Sequence, residues 1–307
     1  MTSQLSPKRR VLILGATGML GHTLMSQLTR DASLDVHGSA RSAGALAETF
    51  GPDLLSRVTS GMDATDPALI DRLLDRVHPD VVVNCIGVIK QDSSAGDTGR
   101  MMALNAELPH LLADACEERR ARLIHISTDC VFSGRRGRYV ESDEPDPIDT
   151  YGRSKLLGEV HRSSAVTLRT SFIGHEIGSQ RSLVDWFLSQ VGTVNGFTKA
   201  IYSGLTAVEL AHLLASAVFP REDLTGLYHV ASTPISKYEL LSMIALEYGW
   251  KGQLVPSSEL ERDRSLVADS FRAATGYRAP EWPVMINEMY GAKRSSLTMA
   301  SGGRGSP

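Results

Sequence analysis

The chain has 307 residues, a formal net charge of −3 and a composition that is 42% hydrophobic and 22% charged. This length suits one large domain or two modest ones, and the composition is typical of globular proteins. The slightly negative charge predicts no nucleic-acid or membrane partner. The three cysteines lack metal-ligand spacing, and no apolar run is long enough for a signal peptide or a membrane span. We therefore expect a cytoplasmic protein without a metal site.

The first predicted strand is the apolar run Val11–Leu14, which is typical of a strand buried on both faces. A glycine-rich turn, Gly15-Ala-Thr-Gly18-Met-Leu-Gly21, follows at once and opens a helix with leucines at helical spacing. Glycines let the backbone approach a pyrophosphate, and a helix N-terminus offers free N–H groups and positive potential. The turn predicts a dinucleotide site, although its first two glycines are one residue further apart than in the usual fingerprint. A tight turn without a ligand is the alternative.

The second predicted strand, Leu34–Ala40, is followed by Arg41. In dinucleotide-binding folds an acidic residue at this place binds a ribose 2′-hydroxyl, whereas an arginine accommodates a 2′-phosphate. The segment Gly38-Ser-Ala-Arg41 contains no acid, so we favour NADP over NAD. The alternative for Arg41 is a solvated surface side chain.

Strands and helices continue to alternate along the first half of the chain. The strands are predicted at Val81–Val83, Leu123–Ile126 and Val166–Leu168, and the helices at Ala68–Val77, Ala103–Glu118 and Tyr151–Val160. This alternation predicts an α/β fold of the Rossmann type, a doubly wound parallel sheet with helices on both faces. Ligands bind such sheets at the carboxyl ends of the strands, where the glycine turn, Asn84–Gly87 and Ser127–Asp129 all lie.

Tyr151 and Lys155 form the only Tyr-x-x-x-Lys in the chain. Four residues apart on a helix they share one face, and the ammonium is expected to lower the tyrosine pKa from its reference of about 10. A phenol tuned in this way can exchange a proton with a substrate oxygen, and Thr128 at a strand end could hydrogen-bond the same oxygen. An exposed helix pair is the alternative. Asn105, inside a predicted helix, could bond a backbone group or a water that supports Lys155, or lie on the surface.

After Gly174 the alternation weakens, which predicts a smaller C-terminal substrate-binding lobe. We assign residues 1–174 to the dinucleotide-binding domain with 200–230 returning to it, 175–199 and 231–292 to the smaller lobe, and 293–307 to a disordered tail. Ser236 and Glu239 predict a capping box that opens a helix to about Tyr248. Arg181 and Arg264 could meet a diphosphate, but most such arginines are solvated and neither is assigned a role.

Four segments resemble the extended short-chain dehydrogenase/reductase family, and within it the nucleotide-sugar 4-ketoreductase branch that includes dTDP-4-dehydrorhamnose reductases. These segments are Val11–Gly21, Asn105–Pro109, Ser127–Gly134 and Tyr151–Glu159. The likeness extends over nearly the whole chain, to about residue 292.

The resemblance implies a role for each matching residue. Tyr151 would be the acid, Lys155 would bind the nicotinamide ribose, and Thr128 would orient the keto oxygen. The other implied cofactor contacts are Gly15, Thr17, Gly18, Met19 and Leu20 at the pyrophosphate, Asp63 at the adenine, and Cys85, Ile86, Gly87 and Asn105 at the nicotinamide side. Two substrate-binding positions depart from the family: Cys130 stands where its reductases usually have tyrosine, and Phe172 where they often have tryptophan. These departures leave the identity of the sugar open.

The expected function is NAD(P)H-dependent reduction of the 4-keto group of a nucleotide-activated 6-deoxy sugar, in polysaccharide or deoxysugar biosynthesis. Two alternatives stay open: an epimerase that retains NAD, and a non-catalytic cofactor-binding protein that regulates a partner. A dehydratase is disfavoured because Cys130 replaces the glutamate of the dehydratases' Thr-Asp-Glu. The expected partner is a nucleotide sugar. A homodimer is left open, since the metal-linked dimer of some relatives cannot be placed on this sequence.

Overall fold

The computed structural model describes residues 7–47, 49–89 and 97–302, with the backbone alone for 296–302. The strands are β1 Arg9–Leu14, β2 Leu34–Ser39, β3 Val58–Thr59, β4 Val81–Asn84, β5 Arg122–Thr128, β6 Ala165–Thr170, β7 Phe172–Ile173, β8 Thr193–Phe197, β9 Ala200–Tyr202, β10 Leu205–Thr206, β11 Gly226–His229, β12 Ile235–Ser236, β13 Gln253–Ser257 and β14 Arg262–Asp263. The α-helices are α1 Met19–Leu28, α2 Gly44–Ala47, α3 Pro52–Leu55, α4 Pro67–Val77, α5 Thr98–Met102, α6 Leu108–Glu118, α7 Thr150–Leu157, α8 Leu183–Ser189, α9 Ala207–Leu213, α10 Lys237–Tyr248, α11 Asp269–Thr275 and α12 Trp282–Gly302.

Seven parallel strands form the main sheet in the order β11-β6-β5-β4-β1-β2-β3. The chain therefore builds outward from β1 to β3 and then returns to place β4 on the other side of β1. Such a reversal of strand order opens a crevice at the carboxyl ends of the two central strands. The prediction of a Rossmann-type doubly wound sheet is confirmed.

Alternate residues of the central strands are buried in two apolar layers, one on each face of the sheet. Val11 and Ile13 of β1 pack with α1 and α9, whereas Leu12 and Leu14 pack with α4 and α6. All four side chains are at most 1% exposed. Because side chains of a strand alternate between faces, a strand covered on both sides must be apolar throughout, as Val11–Leu14 is.

The helix predicted at Ala103–Glu118 consists of a π-helical turn and α6, and the short helix α5 directly precedes it. α5 leads into a π-helical turn at Ala103–Glu107, which leads into α6. A π turn inserts one extra residue into the helix and rotates the side chains that follow, a feature frequent at functional sites. Hydrophobic periodicity alone does not reveal it, because the flanking turns keep ordinary helical spacing.

Three small sheets accompany the second half of the chain. β8 pairs with β13, β9 pairs with both β12 and β14, and β7 pairs with β10. Residues 200–202, which we assigned to the main sheet, therefore pair with strands of the smaller lobe, while β11 forms an edge of the main sheet beside β6. The division into two lobes stays a proposal, with β9 on the side of the smaller lobe.

The end of the chain differs from the sequence-based expectation. The capping box is confirmed, since Ser236 Oγ accepts from the Glu239 N–H and the Glu239 carboxylate accepts from the Ser236 N–H. α12 continues to Gly302, although the composition from Lys293 onward had indicated disorder. Extending a formed helix costs less free energy than nucleating a new one. The amino-acid composition of a segment does not show whether a helix precedes it. Residues 303–307 lie outside the described chain. Within the described residues, every helix is too short or too polar to cross a membrane.

Candidate active site

A cavity of about 420 Å³ opens at the carboxyl ends of β1, β4, β5 and β6, and residues of the smaller lobe close its far side. Ten predicted site residues line it: Met19, Leu20, Cys85, Ile86, Gly87, Thr128, Cys130, Tyr151, Lys155 and Phe172. Within the described chain, the other predicted residues lie outside this lining: Gly15, Thr17, Gly18, Arg41, Asp63 and Asn105. The reversal of strand order thus brings together side chains that are far apart in sequence.

The glycine turn joins β1 to α1 in a geometry that only glycine accommodates. Gly15 has a φ of +85°, and a Cβ added at Gly21 would lie 2.1 Å from the Gly15 carbonyl oxygen. α1 begins after Gly18 without a side-chain cap, so its first N–H groups are available to an external acceptor. An uncapped helix N-terminus after a close glycine turn is a favourable site for a phosphate. These residues fit the pyrophosphate of a dinucleotide.

Thr128 and Tyr151 meet at the bottom of the cavity. Thr128 ends β5 and Tyr151 lies in the first turn of α7, where Asp149 caps the helix by accepting from the Gly152 N–H at 2.8 Å. The two hydroxyl side chains are hydrogen-bonded to each other. Thr128 Oγ1 also accepts from the Cys130 N–H at 3.1 Å, which fixes its rotamer. The arrangement presents two hydroxyl groups to one point in the cavity.

The pKa of Tyr151 is raised, not lowered. Burial is the main cause, and Cys130 and the carboxylates of Asp129 and Asp149 act in the same direction. The hydrogen bond from Thr128 opposes them only in part. Our expectation of a lowered pKa is therefore wrong, because desolvation disfavours the phenolate more than its surroundings stabilise it. A protonated phenol is the form that a proton donor requires.

Lys155 is buried, and its ammonium lies against β5. Its Nζ donates to the Ile126 carbonyl oxygen at 2.8 Å and lies 3.5 Å from Nε2 of His125. On the other side of the ring, Nδ2 of Asn84 lies 3.3 Å from Nδ1 of His125. Burial lowers the pKa of Lys155 to about 8, with an opposing contribution from Glu159. The lysine is thus cationic at neutral pH but close to losing its proton.

Asn105 is fully buried in the π-helical turn, which excludes the surface position. Its Oδ1 accepts from the Val88 N–H at 2.8 Å, and its Nδ2 donates to the Val88 carbonyl at 2.9 Å and to Ser154 Oγ at 3.0 Å. The side chain therefore ties the loop after β4 to α7. It holds the wall that carries Cys85–Gly87 against the helix that carries Tyr151 and Lys155.

Arg41 and Asp63 lie together beyond the carboxyl ends of β2 and β3. Arg41 is exposed, and its carbonyl accepts from the Gly61 N–H at 3.2 Å. Asp63 accepts from the N–H and hydroxyl of Thr65, and these bonds lower its pKa, with a smaller contribution from the Arg41 charge. This edge lies beside the glycine turn, because Gly15 and Ala16 donate to the carbonyl of Ser39 at the end of β2.

Three basic residues that line the cavity were given no role by sequence reasoning. Lys237, Arg262 and Arg264 line the cavity from the smaller lobe. Arg264 is 8% exposed, and its Nη1 lies 3.2 Å from Sγ of Cys130. Residues 130 and 264 are brought together only by the folding of the second half of the chain, and we find no signal in the sequence for this contact.

Comparison with known proteins identifies the family. Residues 9–270 match the family described as the RmlD substrate binding domain. The chain belongs to this family. A probable low-salt glycan biosynthesis reductase of Haloferax volcanii is 34% identical over 235 residues, covering 72% of this chain and 73% of the relative.

One further relative and one solved structure are also similar to this chain. The dTDP-4-dehydrorhamnose reductase of Mycobacterium tuberculosis is 37% identical over 155 residues, 49% of this chain and 44% of its own length. The chain thus spans less than half of that relative. The crystal structure of dTDP-4-dehydrorhamnose reductase from Bacillus anthracis in complex with NADP has a TM-score of 0.75 and 23% identity, covering 93% of this chain and 99% of that one. This last likeness shows the shared fold.

Proposed function

We propose that the chain is an NAD(P)H-dependent oxidoreductase that reduces the 4-keto group of a nucleotide-activated 6-deoxy sugar. The observation that carries the proposal is the hydrogen-bonded pair of Thr128 and Tyr151 in a cavity beside an uncapped, glycine-rich helix N-terminus. The names of the family's reductases support the substrate class. The roles that we assign below to individual residues rest on this geometry and on the similarity to the family's reductases.

The cofactor is assigned to the crevice that begins at the glycine turn. Gly15, Thr17, Gly18, Met19 and Leu20 would hold the pyrophosphate, Arg41 and Asp63 the adenosine end, and Cys85, Ile86, Gly87 and Asn105 the nicotinamide side. When bound, the reduced nicotinamide supplies the hydride for the ketone. We favour NADP because the exposed guanidinium of Arg41 can pair with a 2′-phosphate.

The proton chemistry belongs to Tyr151. Its raised pKa keeps the phenol protonated, so it can donate to the keto oxygen as negative charge develops there. Thr128 would donate a second hydrogen bond to that oxygen in place of its bond to Tyr151, so that both hydroxyl protons point at the same atom. Lys155 lies one turn further along α7, where its ammonium would bind the nicotinamide ribose.

Substrate binding is assigned to Thr128, Cys130 and Phe172. These side chains lie on the wall that faces the smaller lobe, and each lines the cavity. A bound substrate would displace water from these walls, which would strengthen the hydrogen bonds made there.

The decisive experiment is NADPH oxidation by the purified protein with a panel of 4-keto-6-deoxy sugar nucleotides. Stoichiometric loss of NADPH absorbance with formation of a 4-hydroxy product, identified by NMR, would support the proposal. Tightly bound NAD with no net consumption of cofactor would indicate an epimerase instead. Absence of turnover over the whole panel would revive the regulatory alternative.

A further inference from the structure

Glu159 lies two residues beyond the end of α7, and none of the roles proposed above involves it. The residue is 5% exposed, and its carboxylate accepts three hydrogen bonds. Ser127 Oγ donates to Oε1 at 2.7 Å, and Arg169 donates from Nε to Oε1 and from Nη2 to Oε2, both at 2.7 Å. A bidentate pair with an arginine holds a carboxylate in one orientation. The position of this buried acid is therefore fixed.

The fixed position places Glu159 beside the candidate catalytic residues. The last three residues of β5, at positions 126–128, each bond to a side chain of the segment that α7 begins. Lys155 donates to the carbonyl of the first, Glu159 accepts from the hydroxyl of the second, and Tyr151 is hydrogen-bonded to the third. The ammonium of Lys155 and the carboxylate of Glu159 are thus bound to adjacent residues of one strand.

Lys155 and Glu159 carry opposite charges in a part of the core that water does not reach. Each residue is 5% exposed. Burial lowers the pKa of Lys155, and the charge of Glu159 is the largest opposing effect. Opposite charges attract each other more strongly in such surroundings than in water.

The other ionisable groups that face Lys155 are uncharged at neutral pH. Burial lowers the pKa of His125, on β5, well below its usual value. Burial also raises the pKa of Cys85, in the loop after β4, and of Tyr151, on α7. Among the residues that act on the charge of Lys155, Glu159 is therefore the one that carries a full negative charge.

Arg169 is the second cation beside Glu159. Its guanidinium carbon lies 5.3 Å from the ring centroid of Phe132, and its Nη1 lies 3.4 Å from Nε2 of His229. Burial lowers the pKa of His229, and the Glu141 carboxylate, which accepts from the His229 N–H at 2.9 Å, opposes this effect. The direct bonds of Arg169 orient the carboxylate of Glu159, and they leave its charge in place for Lys155.

We infer that Glu159 is a positioning residue, whose carboxylate is the counter-charge that holds the Lys155 ammonium at the end of β5. The inference rests on the proposed function for the reaction that Lys155 serves. Glu159 does not belong to the described lining of the cavity, so it acts through Lys155 and not on the substrate. Removal of its charge should let Lys155 lose its proton at a lower pH.

The test is the titration of Lys155, followed by NMR of the side-chain signals in protein made with isotopically labelled lysine. The Lys155 signal is identified by its absence in Lys155→Met. Glu159→Gln removes the charge and keeps the size of the side chain. The midpoint, about 8 in the wild-type protein, should fall by about one pH unit, the lower end of the effect of a neighbouring opposite charge. The alkaline limb of kcat/KM should move by the same amount.

Three further variants separate the charge of Glu159 from its packing. Glu159→Asp keeps the charge, and Ser127→Ala removes one hydrogen bond to Glu159 without removing its charge. Glu117→Gln is the matched control, because it removes an exposed acid that accepts from Arg162 at 3.3 Å. All three should keep a midpoint near that of the wild-type protein.

Two results would overturn the inference. One is a wild-type midpoint in folded Glu159→Gln. The other is an equal fall of the midpoint in Glu159→Asp, Ser127→Ala or Glu117→Gln, which would assign the effect to packing or to overall charge. If Glu159→Gln does not fold because Arg169 is left buried without its partner, Arg169→Met is added to it so that both charges of the pair are removed. A wild-type midpoint in that double variant would also overturn the inference.

The NMR titration needs no substrate, so it separates this inference from the proposed function. A lower midpoint in Glu159→Gln, in a protein without ketoreductase turnover, would retain the counter-charge and refute the function. Turnover of a 4-keto sugar nucleotide together with an unchanged midpoint in Glu159→Gln would do the reverse.

Discussion

Nζ of Lys155 lies 3.5 Å from Nε2 of His125, in a part of the core where both side chains are buried. Burial lowers the pKa of both groups, that of the lysine to about 8 and that of the histidine well below its usual value. The histidine therefore stays uncharged at neutral pH, and only the lysine changes charge when the pH rises. Burial raises the pKa of Cys85 against an opposing electrostatic effect of Lys155, so Cys85 remains a thiol.

The first prediction concerns the alkaline side of the pH profile. The pKa of Lys155 is about 8, so its ammonium is present below this pH and is lost above it. Tyr151 keeps its proton in the same range because its own pKa is raised. We expect kcat/KM to be level near neutral pH and to fall about tenfold per pH unit above about 8.

The matched variant for this pH profile is Lys155→Met. It should have low residual activity with no alkaline fall near pH 8, since the ammonium whose loss causes the fall is absent. An unchanged alkaline limb in this variant would assign the limb to another group.

The second prediction concerns Tyr151. Replacement by phenylalanine removes the proton donor and leaves the ring, so kcat should fall by about 10²- to 10⁴-fold, the usual contribution of general acid catalysis. The dissociation constant for NADPH should change little. Tyr290→Phe, in α12 and outside the cavity lining, is the matched control and should keep wild-type kcat. Wild-type turnover by Tyr151→Phe would refute the assigned role.

The third prediction concerns Asn105. Asn105→Ala would leave the buried N–H and carbonyl of Val88 and the hydroxyl of Ser154 without this partner. We expect the free energy of unfolding to fall by at least about 2 kcal/mol, because each buried group that loses its partner costs about 1–3 kcal/mol. Urea denaturation measures the change. Asn287→Ala removes an exposed hydrogen bond to Glu247 and should cost under about 0.5 kcal/mol. Equal urea denaturation midpoints for the two variants would contradict the conclusion that Asn105 ties the loop after β4 to α7.

The fourth prediction concerns cofactor choice. Arg41→Ala should reduce kcat/KM for NADPH by about 10- to 100-fold, the effect of losing a charged hydrogen bond to a phosphate, and should leave kcat/KM for NADH nearly unchanged. Arg30→Ala, an exposed arginine at the other end of α1, is the control. A wild-type protein that uses NADH more efficiently than NADPH would show that the preference for NADP is wrong.

Local sequence determined the sheet and the start of the cofactor crevice. The apolar run Val11–Leu14 is typical of a strand covered on both faces, and the glycines at 15 and 21 allow the close turn that joins it to α1. The shared position of Tyr151 and Lys155 could also be predicted from the sequence, because helical spacing alone puts both residues on one face of α7. These features depend on residues fewer than about ten positions apart, where backbone geometry decides the outcome.

Tertiary structure decided the electrostatics and the far wall of the cavity. The pKa of Tyr151 is raised because the whole chain buries it, and no local pattern reports how much water a fold excludes. Arg264 reaches Cys130 across 134 positions of sequence, through strand pairings that depend on the packing of the smaller lobe. Short-range spacing fixes which side chains share a helix face or a turn, whereas their solvation and their distant partners follow only from how the completed layers pack.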